Sequence, residues 1–284
     1  MSRSTIFGGQ LAVTVIVAAM DEELAPLRTR LTGRTSGYLP GVRLTLGRLG
    51  RTPVALAVTG DGARNARGGL SRVLADLPVS RVIVAGVSGG ATSDLEVSGL
   101  VLGDRIVDAR DGSVRLADET LAAAAARACH ARRGVVVTAP RLADSADEKA
   151  RVREVARLAC GGAAGPIAVD LESSVFVDEA ARAGVPSLVL RAISDTADES
   201  LPALLNRSRD EGGSVRRSRV ALGLLGDPRP LGRLLALRQR VSGCARGLAR
   251  ATALVVSALE PENLHPETRA EASPRLEGVV GTGA

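Results

Sequence analysis

Short apolar runs that alternate with helical patterns are the feature that most constrains the fold of this chain. Runs rich in Val, Ile and Leu lie near 12–19, 53–58, 81–87, 103–108, 134–138, 166–170 and 186–193. Amphipathic or Ala-rich segments lie between several of them, near 21–32, 63–77, 118–132, 146–158 and 172–184. Short runs that are apolar at nearly every position are typical of strands buried on both faces. The alternation predicts an α/β fold, a single domain with a mixed central sheet flanked by helices.

The C-terminal third of the chain has a different character. A long helical pattern over 231–259 mixes leucines with arginines and predicts a basic amphipathic helix. Such a helix either docks on the domain with its arginines in water, or forms a surface that meets an anionic membrane or a lipid-like substrate. We predict a catalytic domain over 1–200, a basic helical C-terminal extension over 201–259 that packs on it, and a disordered tail over 260–284.

The aromatic content of the chain limits its partners. Aromatic residues make up only 1% of the sequence, namely Phe7, Tyr38 and Phe176, so stacking platforms for single-stranded nucleic acid are nearly absent. The net charge of +6 comes almost entirely from arginine, with Lys149 as the single lysine. A nucleic-acid partner is disfavoured because the basic C-terminal helix carries no reading motif.

The cysteines and histidines do not form a pattern that binds a metal. Cys129, Cys160 and Cys244 are far apart and lack a CxxC spacing, so we expect neither a disulfide framework nor a zinc site. His130 and His265 are the only histidines, and neither lies in a motif of a catalytic triad. We expect both to be surface residues.

The N-terminal apolar run predicts a strand that belongs to the domain. The run Leu11–Met20 is too short to span a bilayer, and it leads directly into three acidic residues without a cleavage site. We therefore predict a buried strand in place of a signal peptide, and a cytoplasmic protein.

Polar residues follow three of the predicted strands at their carboxyl ends, the edge of an open α/β sheet where ligands bind. Segment 15–24 leads into a helix whose first turn carries three acids, although the helix dipole alone would favour acids there. Segment 82–90 ends in a Gly-rich turn, which allows backbone amides to approach a ligand. Segment 189–198 places Arg-x-x-Ser-Asp at the end of a buried strand, and segment 169–174 carries Glu172 after another. A capped loop would explain Ser194 and Asp195, but not why Glu172 and Arg191 flank apolar runs. We expect these last two segments to carry function.

The order and spacing of these segments resemble the nucleoside phosphorylase superfamily, and more closely its methylthioadenosine/S-adenosylhomocysteine nucleosidase branch. The similarity covers roughly residues 12–200, and the turn at 60–62 falls where that family has a Gly-x-Gly turn that opens a helix. The resemblance implies an enzyme that cleaves the bond between a purine and a ribose, and it suggests a homo-oligomer. It implies no metal and no organic cofactor, because the leaving purine needs only a proton, and it allows phosphate as a co-substrate.

The resemblance also implies roles for individual residues. Asp195 would protonate N7 of the leaving purine, Glu172 would bind the ribose hydroxyls, and Glu23 would position and activate the attacking water. Further substrate contacts would come from Val87, Ser88, Gly89, Leu171, Arg191 and Ser194, and phosphate or water could bind near Gly60, Gly62 and Arg64.

Departures from the family pattern bear on the nucleophile and the substrate. Val87 stands where many phosphorylases have a Ser that binds phosphate, which together with Glu23 favours hydrolysis, and Leu171 replaces the usual Met. Because Phe176 lies within the helix after Glu172, we expect aliphatic side chains to line the pocket for the base and the 5′ side of the ribose.

One branch of the family accounts for these departures. The motif at 193–202, an Arg-rich linker and the long basic helix resemble the hopanoid-associated phosphorylases, which remove adenine from adenosylhopane. An aliphatic pocket and a basic helix suit a lipid-linked purine nucleoside at an anionic membrane, which implies peripheral membrane contact.

Two alternatives stay open. The first is a soluble nucleosidase or phosphorylase for methylthioadenosine, S-adenosylhomocysteine or a futalosine-type nucleoside. The second is a non-catalytic protein that binds a nucleoside, against which the presence of Glu23, Glu172 and Asp195 argues.

Overall fold

A computed structural model describes residues 12–162, 165–207 and 231–260 of the chain. The strands in these ranges are β1 (Val13–Ala18), β2 (Thr32–Leu39), β3 (Val42–Leu49), β4 (Thr52–Val58), β5 (Val79–Gly90), β6 (Leu100–Asp108), β7 (Val114–Leu116), β8 (Arg132–Thr138), β9 (Ile167–Asp170) and β10 (Ser187–Asp195). The helices are α1 (Asp21–Arg28), α2 (Ala63–Asp76), α3 (Glu119–Cys129), α4 (Ala146–Ala159), α5 (Ser173–Arg182), α6 (Leu204–Arg207) and α7 (Leu231–Ala258).

The described strands belong to one mixed sheet. Strand β1 lies between β4 and β5 and runs parallel to both, and β5 also runs parallel to β10. Beyond β4, strands β3 and β2 continue the sheet in antiparallel order. Because β1, β4, β5 and β10 run in the same direction, their carboxyl ends meet at one edge. This mixed sheet, flanked by helices, confirms the predicted fold class.

Part of the sheet closes into a ring of five strands. Strand β5 pairs with β10, β10 with β6, β6 with β8, β8 with β9, and β9 with β5. The closure depends on the end of β5, where Gly89 and Gly90 pair antiparallel with Val169 and Ala168. The carboxyl end of β9 is thereby brought to the carboxyl end of β5.

The central strands are covered on both faces, which explains why five of the six residues of β1 are apolar. All six residues of β1 are buried. Its side chains alternate between two cores, as the period of two in a strand requires. Ile16 and Ala18 pack with α1, α3 and α7, whereas Val15 and Val17 pack with α2 and α5. A third, smaller core lies among β8, β9 and α4.

Helix α7 packs against α1, α3 and β10. Its second half provides the buried contacts, which include Cys244 and Leu248, whereas Leu231 and Leu235 in its first turns are 45% and 51% exposed. Arg240 donates two hydrogen bonds to the Glu199 carboxylate, at 2.6 and 2.5 Å. The helix is therefore docked on the α/β domain, and it presents leucines to solvent near its start.

The structure differs from the sequence-based assignment mainly between residues 29 and 49. The helix predicted over 21–32 ends at Arg28, and the unpredicted strands β2 and β3 follow. Strand β2 lies at the edge of the sheet and is exposed along most of its length, so its sequence lacks an apolar pattern. The short strand β7 was not predicted either, and two of its three residues are exposed.

Several predictions fall partly or wholly outside the described residues. These include His265 and the tail after residue 260, so the predicted domain boundaries stay predictions. His130 is exposed and ends α3 in a left-handed conformation. Within the described ranges, no helix has the length and apolar character needed to cross a membrane.

Candidate active site

A cavity of about 840 Å³ lies at the carboxyl ends of β1, β4, β5, β9 and β10. Ten of the residues predicted for the site line it, namely Glu23, Gly60, Val87, Ser88, Gly89, Leu171, Glu172, Arg191, Ser194 and Asp195. The structure does not bring Arg64 into this set, because its side chain is exposed on α2. Gly62 takes part through its backbone, as described below. The three segments singled out in the sequence thus meet at one place.

Glu23 is held by two backbone amides from different elements. Its Oε2 accepts a hydrogen bond from the Met20 N–H at 2.9 Å, and its Oε1 accepts one from the Val87 N–H at 2.8 Å. Burial raises the pKa of Glu23, and this effect outweighs the opposing field of the Arg191 guanidinium. A buried carboxylate with a raised pKa that lines a cavity is suited to accept a proton from a bound molecule.

The Arg191 guanidinium passes across the backbone of β5 at Gly86. A Cβ at Gly86 would lie 1.8 Å from Arg191 Nη1 and 2.8 Å from Glu23 Oε1, so only glycine fits there. Arg191 Nη2 lies 2.6 Å from Asp170 Oδ2 and donates a hydrogen bond to Ser173 Oγ at 2.8 Å. The buried guanidinium is therefore paired with the turn between β9 and α5, and its positive charge acts on the nearby Glu23 carboxyl group.

The first amides of α5 are satisfied by neighbours in space. Asp170 Oδ1 accepts hydrogen bonds from Thr138 Oγ1 at 2.9 Å and from the Ser173 N–H at 3.3 Å. Thr138 Oγ1 accepts one from the Ser174 N–H at 2.8 Å. Glu172 precedes the helix but makes no capping bond with its side chain. Because other residues cap α5, the Glu172 carboxyl group can face the cavity.

Glu172 lies beside a second carboxyl group. Its Oε1 accepts a hydrogen bond from the Gly62 N–H at 3.0 Å, and its side chain is hydrogen-bonded to Asp61. Burial raises the pKa of Glu172, and the nearby carboxyl groups of Asp61 and Asp170 raise it further, to about 8. Gly62 therefore orients Glu172, and hydroxyl groups that donate to Glu172 would favour its ionised form.

Asp195 ends β10 at a β-bulge. Ile193 pairs with Ser88 and Asp195 pairs with Gly89, so Ser194 is the extra residue. Bulges of this kind re-aim side chains and occur frequently next to active sites. Ser194 Oγ donates a hydrogen bond to Asp195 Oδ1 at 2.6 Å. A Cβ at Gly89 would lie 3.0 Å from Asp195 Oδ2, so the glycine allows the carboxyl group to approach the β5 backbone.

The second partner of Asp195 is a buried cation that the motifs did not predict. Lys149 of α4 is completely buried, and its Nζ lies 2.5 Å from Asp195 Oδ2. The sequence carries one signal for it, a single lysine among 37 basic residues, but the two partners are 46 residues apart. Asp61 and Asp170 were also missed as parts of the site, although Asp170 lies two positions before Glu172.

Aromatic side chains take part in the lining, which corrects the expectation of an aliphatic pocket. Phe176 lies one helical turn after Glu172, and Tyr38 reaches the cavity from β2, a strand that the sequence pattern did not predict. A group of aliphatic side chains from residues 142–241 also lines the cavity, and we refer to this group as the aliphatic wall. It consists of Leu142, Leu201, Leu205, Leu237 and Val241.

Comparisons with known proteins agree with this architecture. The sequence model described as "Phosphorylase superfamily" matches residues 13–224. The 5′-methylthioadenosine/S-adenosylhomocysteine nucleosidase of Neisseria meningitidis, solved with methylthio-immucillin-A, is 19% identical, and the match has a TM-score of 0.67 and covers 88% of this chain and 100% of that one. The Streptococcus pneumoniae nucleosidase, solved with a transition-state inhibitor, is 18% identical, with a TM-score of 0.67 and coverage of 87% and 99%. A futalosine hydrolase mutant of Helicobacter pylori is 18% identical, with a TM-score of 0.67 and coverage of 88% and 100%.

Proposed function

Because the chain belongs to the phosphorylase superfamily, we propose that it is a nucleosidase that hydrolyses the N-ribosyl bond of an adenine nucleoside with a large apolar 5′ group. The observation that carries the proposal is the cavity itself. Glu23, Glu172 and Asp195 line it together, and each carboxyl group is oriented by defined donors. The nucleosidases and the futalosine hydrolase of similar fold support the same class of reaction.

The three carboxyl groups have complementary roles in this proposal. Asp195 gives a proton to N7 of the purine while the C1′–N9 bond breaks and its electron pair moves to the base. Glu172 accepts hydrogen bonds from the ribose hydroxyls, and such bonds strengthen as the sugar becomes oxocarbenium-like. Glu23 accepts a proton from the water whose oxygen adds to C1′, so the products are adenine and the free sugar.

The charge of the cavity favours water over phosphate as the nucleophile. Arg191, one of the two arginines that line the cavity, is already paired with Asp170. The other, Arg43, lies 3.5 Å from Asp21, so neither arginine of the described lining offers an unpaired cation to a phosphate dianion, whereas a water molecule needs none. The acidic side chains of the lining are Asp21, Glu22, Glu23, Asp61, Asp170, Glu172 and Asp195, against Arg43 and Arg191.

The aliphatic wall supports an apolar 5′ substituent, and adenosylhopane is our specific candidate. Two contacts join the segments that carry this wall: Asn206 Nδ2 donates to the Leu142 carbonyl oxygen at 2.8 Å, and Arg240 of α7 pairs with Glu199. Leu237 and Val241 of α7 belong to it. When a lipid-like group buries apolar surface against this wall, each Å² removed from water contributes about 25 cal/mol to the free energy of binding.

Helix α7 also supports peripheral contact with an anionic membrane. Its exposed Leu231 and Leu235 are accompanied by the exposed Arg233 and Arg238, on the helix that lines the cavity. Apolar and basic residues on one exposed segment suit the boundary between lipid head groups and acyl chains. We expect the protein to sediment with anionic vesicles at low salt and to be released by high salt. A protein that stays in the supernatant at low salt would contradict membrane contact.

The central experiment measures adenine release from adenosylhopane and from methylthioadenosine, each with and without phosphate. We expect release from adenosylhopane without phosphate, and a loss of about 10²- to 10⁴-fold in Asp195→Asn, since the general acid is removed. The matched control is Asp198→Asn, which alters an exposed carboxyl group three positions away and should retain full activity.

The other outcomes distinguish the alternatives. A requirement for phosphate would assign phosphorolysis. Release of adenine from methylthioadenosine but not from adenosylhopane would assign the protein to the soluble salvage branch. Methylthioadenosine is the substrate for which the nucleosidases of similar fold are named. Binding of nucleosides without release would assign a non-catalytic binding protein. The predicted homo-oligomer is tested separately by the mass of the protein in solution.

A further inference from the structure

We propose that Lys149 is a positioning residue for the proton transfer to the leaving purine. In this proposal, which rests on the proposed function, the Lys149 ammonium group holds and stabilises the Asp195 carboxylate that remains when the proton has moved to N7. Lys149 itself does not line the cavity and acts only through Asp195.

The hydrogen bonds of Lys149 require its charged form. Its Nζ contacts three acceptors, namely Asp195 Oδ2 at 2.5 Å, the Thr196 carbonyl oxygen at 2.5 Å and the Glu199 carbonyl oxygen at 2.9 Å. An ammonium group has three N–H donors and can satisfy all three acceptors. A neutral amine has two N–H bonds and could not donate to all three acceptors. The site is therefore built for a cation.

The burial of this cation points to a role other than stability. The Lys149 side chain has no exposed surface, and the Asp195 side chain is 3% exposed. Removal of two charges from water is unfavourable, and an apolar pair of similar volume often stabilises a core equally well. The partner of Lys149 is the carboxyl group that faces the purine in the proposed reaction. The ion pair is thus placed where the reaction changes the charge of a side chain.

Lys149 and Ser194 together hold Asp195 in one orientation. Ser194 Oγ occupies one site on Oδ1, and Lys149 Nζ occupies one site on Oδ2. Each carboxylate oxygen can accept two hydrogen bonds, so a lone pair remains to exchange a proton with the purine. The carboxyl group does not need to reorient during the transfer.

The charges explain why Lys149 would accelerate the reaction. In the substrate complex of the proposed reaction, the Asp195 carboxyl group carries the proton that it gives to N7, and the Lys149 cation lies beside it. As the C1′–N9 bond breaks, the Asp195 proton moves to N7 and the Asp195 carboxyl group becomes negative, while Lys149 retains its three protons. The attraction between the two side chains therefore grows towards the transition state, and only interactions that grow in this way raise the rate of the chemical step.

The test compares two leaving groups in Lys149→Met. Adenine needs a proton on N7 to leave, whereas 4-nitrophenolate leaves from a 4-nitrophenyl riboside without one. We expect Lys149→Met to lower kcat/KM for adenine release at least about tenfold and to leave nitrophenolate release within about threefold of the wild type. The matched control is Arg153→Met. It removes another basic side chain of α4, one that donates to the Ala91 carbonyl oxygen at 2.8 Å, and should spare both reactions.

A double-mutant comparison separates positioning from a structural role. Because Lys149 acts through Asp195, we expect Lys149→Met to change adenine release less than about threefold when it is combined with Asp195→Asn. If Lys149→Met does not fold, Lys149→Gln, which keeps an N–H donor without the charge, is tested in the same comparisons.

Two results would overturn the inference. One is an equal loss of adenine and nitrophenolate release in Lys149→Met. The other is a loss of adenine release from Lys149→Met that is as large in the Asp195→Asn variant as it is in the wild type. A wild-type protein that releases no base from any nucleoside would instead refute the proposed function, so the two failures are distinguishable.

Discussion

Replacement of Glu172 by glutamine is expected to stabilise the protein while it abolishes most of the activity. The pKa of Glu172 is about 8 in the folded protein, against 4.5 for the unperturbed group. Between these two pH values the folded protein binds a proton that the unfolded chain releases. The free energy of unfolding therefore falls as pH rises through this window, because the folded state binds more protons than the unfolded state. Stability that is fully present below pH 4.5 is lost by about pH 8.

The size of the effect follows from the same values. One pKa unit corresponds to about 1.4 kcal/mol, so at pH 7 the mismatch amounts to roughly 3 kcal/mol. Glutamine has the same shape without the ionisation. Its amide oxygen can accept the Gly62 N–H, and its NH₂ can donate to the neighbouring Asp61 carboxylate. We therefore expect Glu172→Gln to be more stable than the wild type at pH 7 by on the order of 3 kcal/mol.

Urea denaturation at pH 5, 6, 7 and 8 measures the effect. The difference in the free energy of unfolding between Glu172→Gln and the wild type should be below about 1 kcal/mol at pH 5 and should grow with pH. Glu96→Gln, which neutralises an exposed carboxyl group, should follow the wild type at every pH. The reasoning is refuted if Glu172→Gln shows the same pH dependence as the wild type, or if its advantage shrinks as pH rises.

Three further predictions concern geometry, pH and substrate. Gly86→Ala should lower kcat/KM about 10²-fold because a Cβ there collides with a buried guanidinium. The control Gly68→Ala on α2 should leave kcat/KM unchanged, and equal effects of the two variants would contradict the prediction. Asp61→Asn should lower the pKa of Glu172 and move the acid limb of the profile of kcat/KM against pH to lower pH, and an unmoved limb would count against their coupling. Arg240→Gln should raise KM for adenosylhopane more than for methylthioadenosine because it loosens the α7 wall, and equal changes would exclude a role of that wall in specificity.

The elements that were predictable are those whose environment leaves a local pattern in the sequence. Strand β1 is covered on both faces, so all but one of its residues are apolar and it stands out as a run. Strand β2 is an edge strand with little burial, and nothing in its composition distinguishes it from a loop. The closure of the ring was also not predictable, since it depends on pairing between β5 and β9, about 80 residues apart in the chain.

The site was predictable where it follows strand ends and hidden where it depends on distant contacts. Glu23, Glu172 and Asp195 lie in short motifs at the ends of strands, so order and spacing identify them. Lys149 lies in the first turn of an ordinary helix and becomes part of the site only because this end of α4 contacts the end of β10. Its local sequence is that of any amphipathic helix, in which a lysine is usually solvated.

The origin of the cavity walls bears on how this protein can acquire new substrates. The carboxyl groups are carried by strand ends and by the starts of α1 and α5, which the buried sheet holds in place. Part of the aliphatic wall is carried by α7, close to the C-terminal end of the described chain. Substitutions at Leu237 and Val241 can therefore reshape the compartment without disturbing the groups that would cleave the glycosidic bond. Under the proposed function, the groups for chemistry and the wall for selectivity therefore belong to separate parts of the chain, so natural variation or engineering can diversify one while the other is preserved.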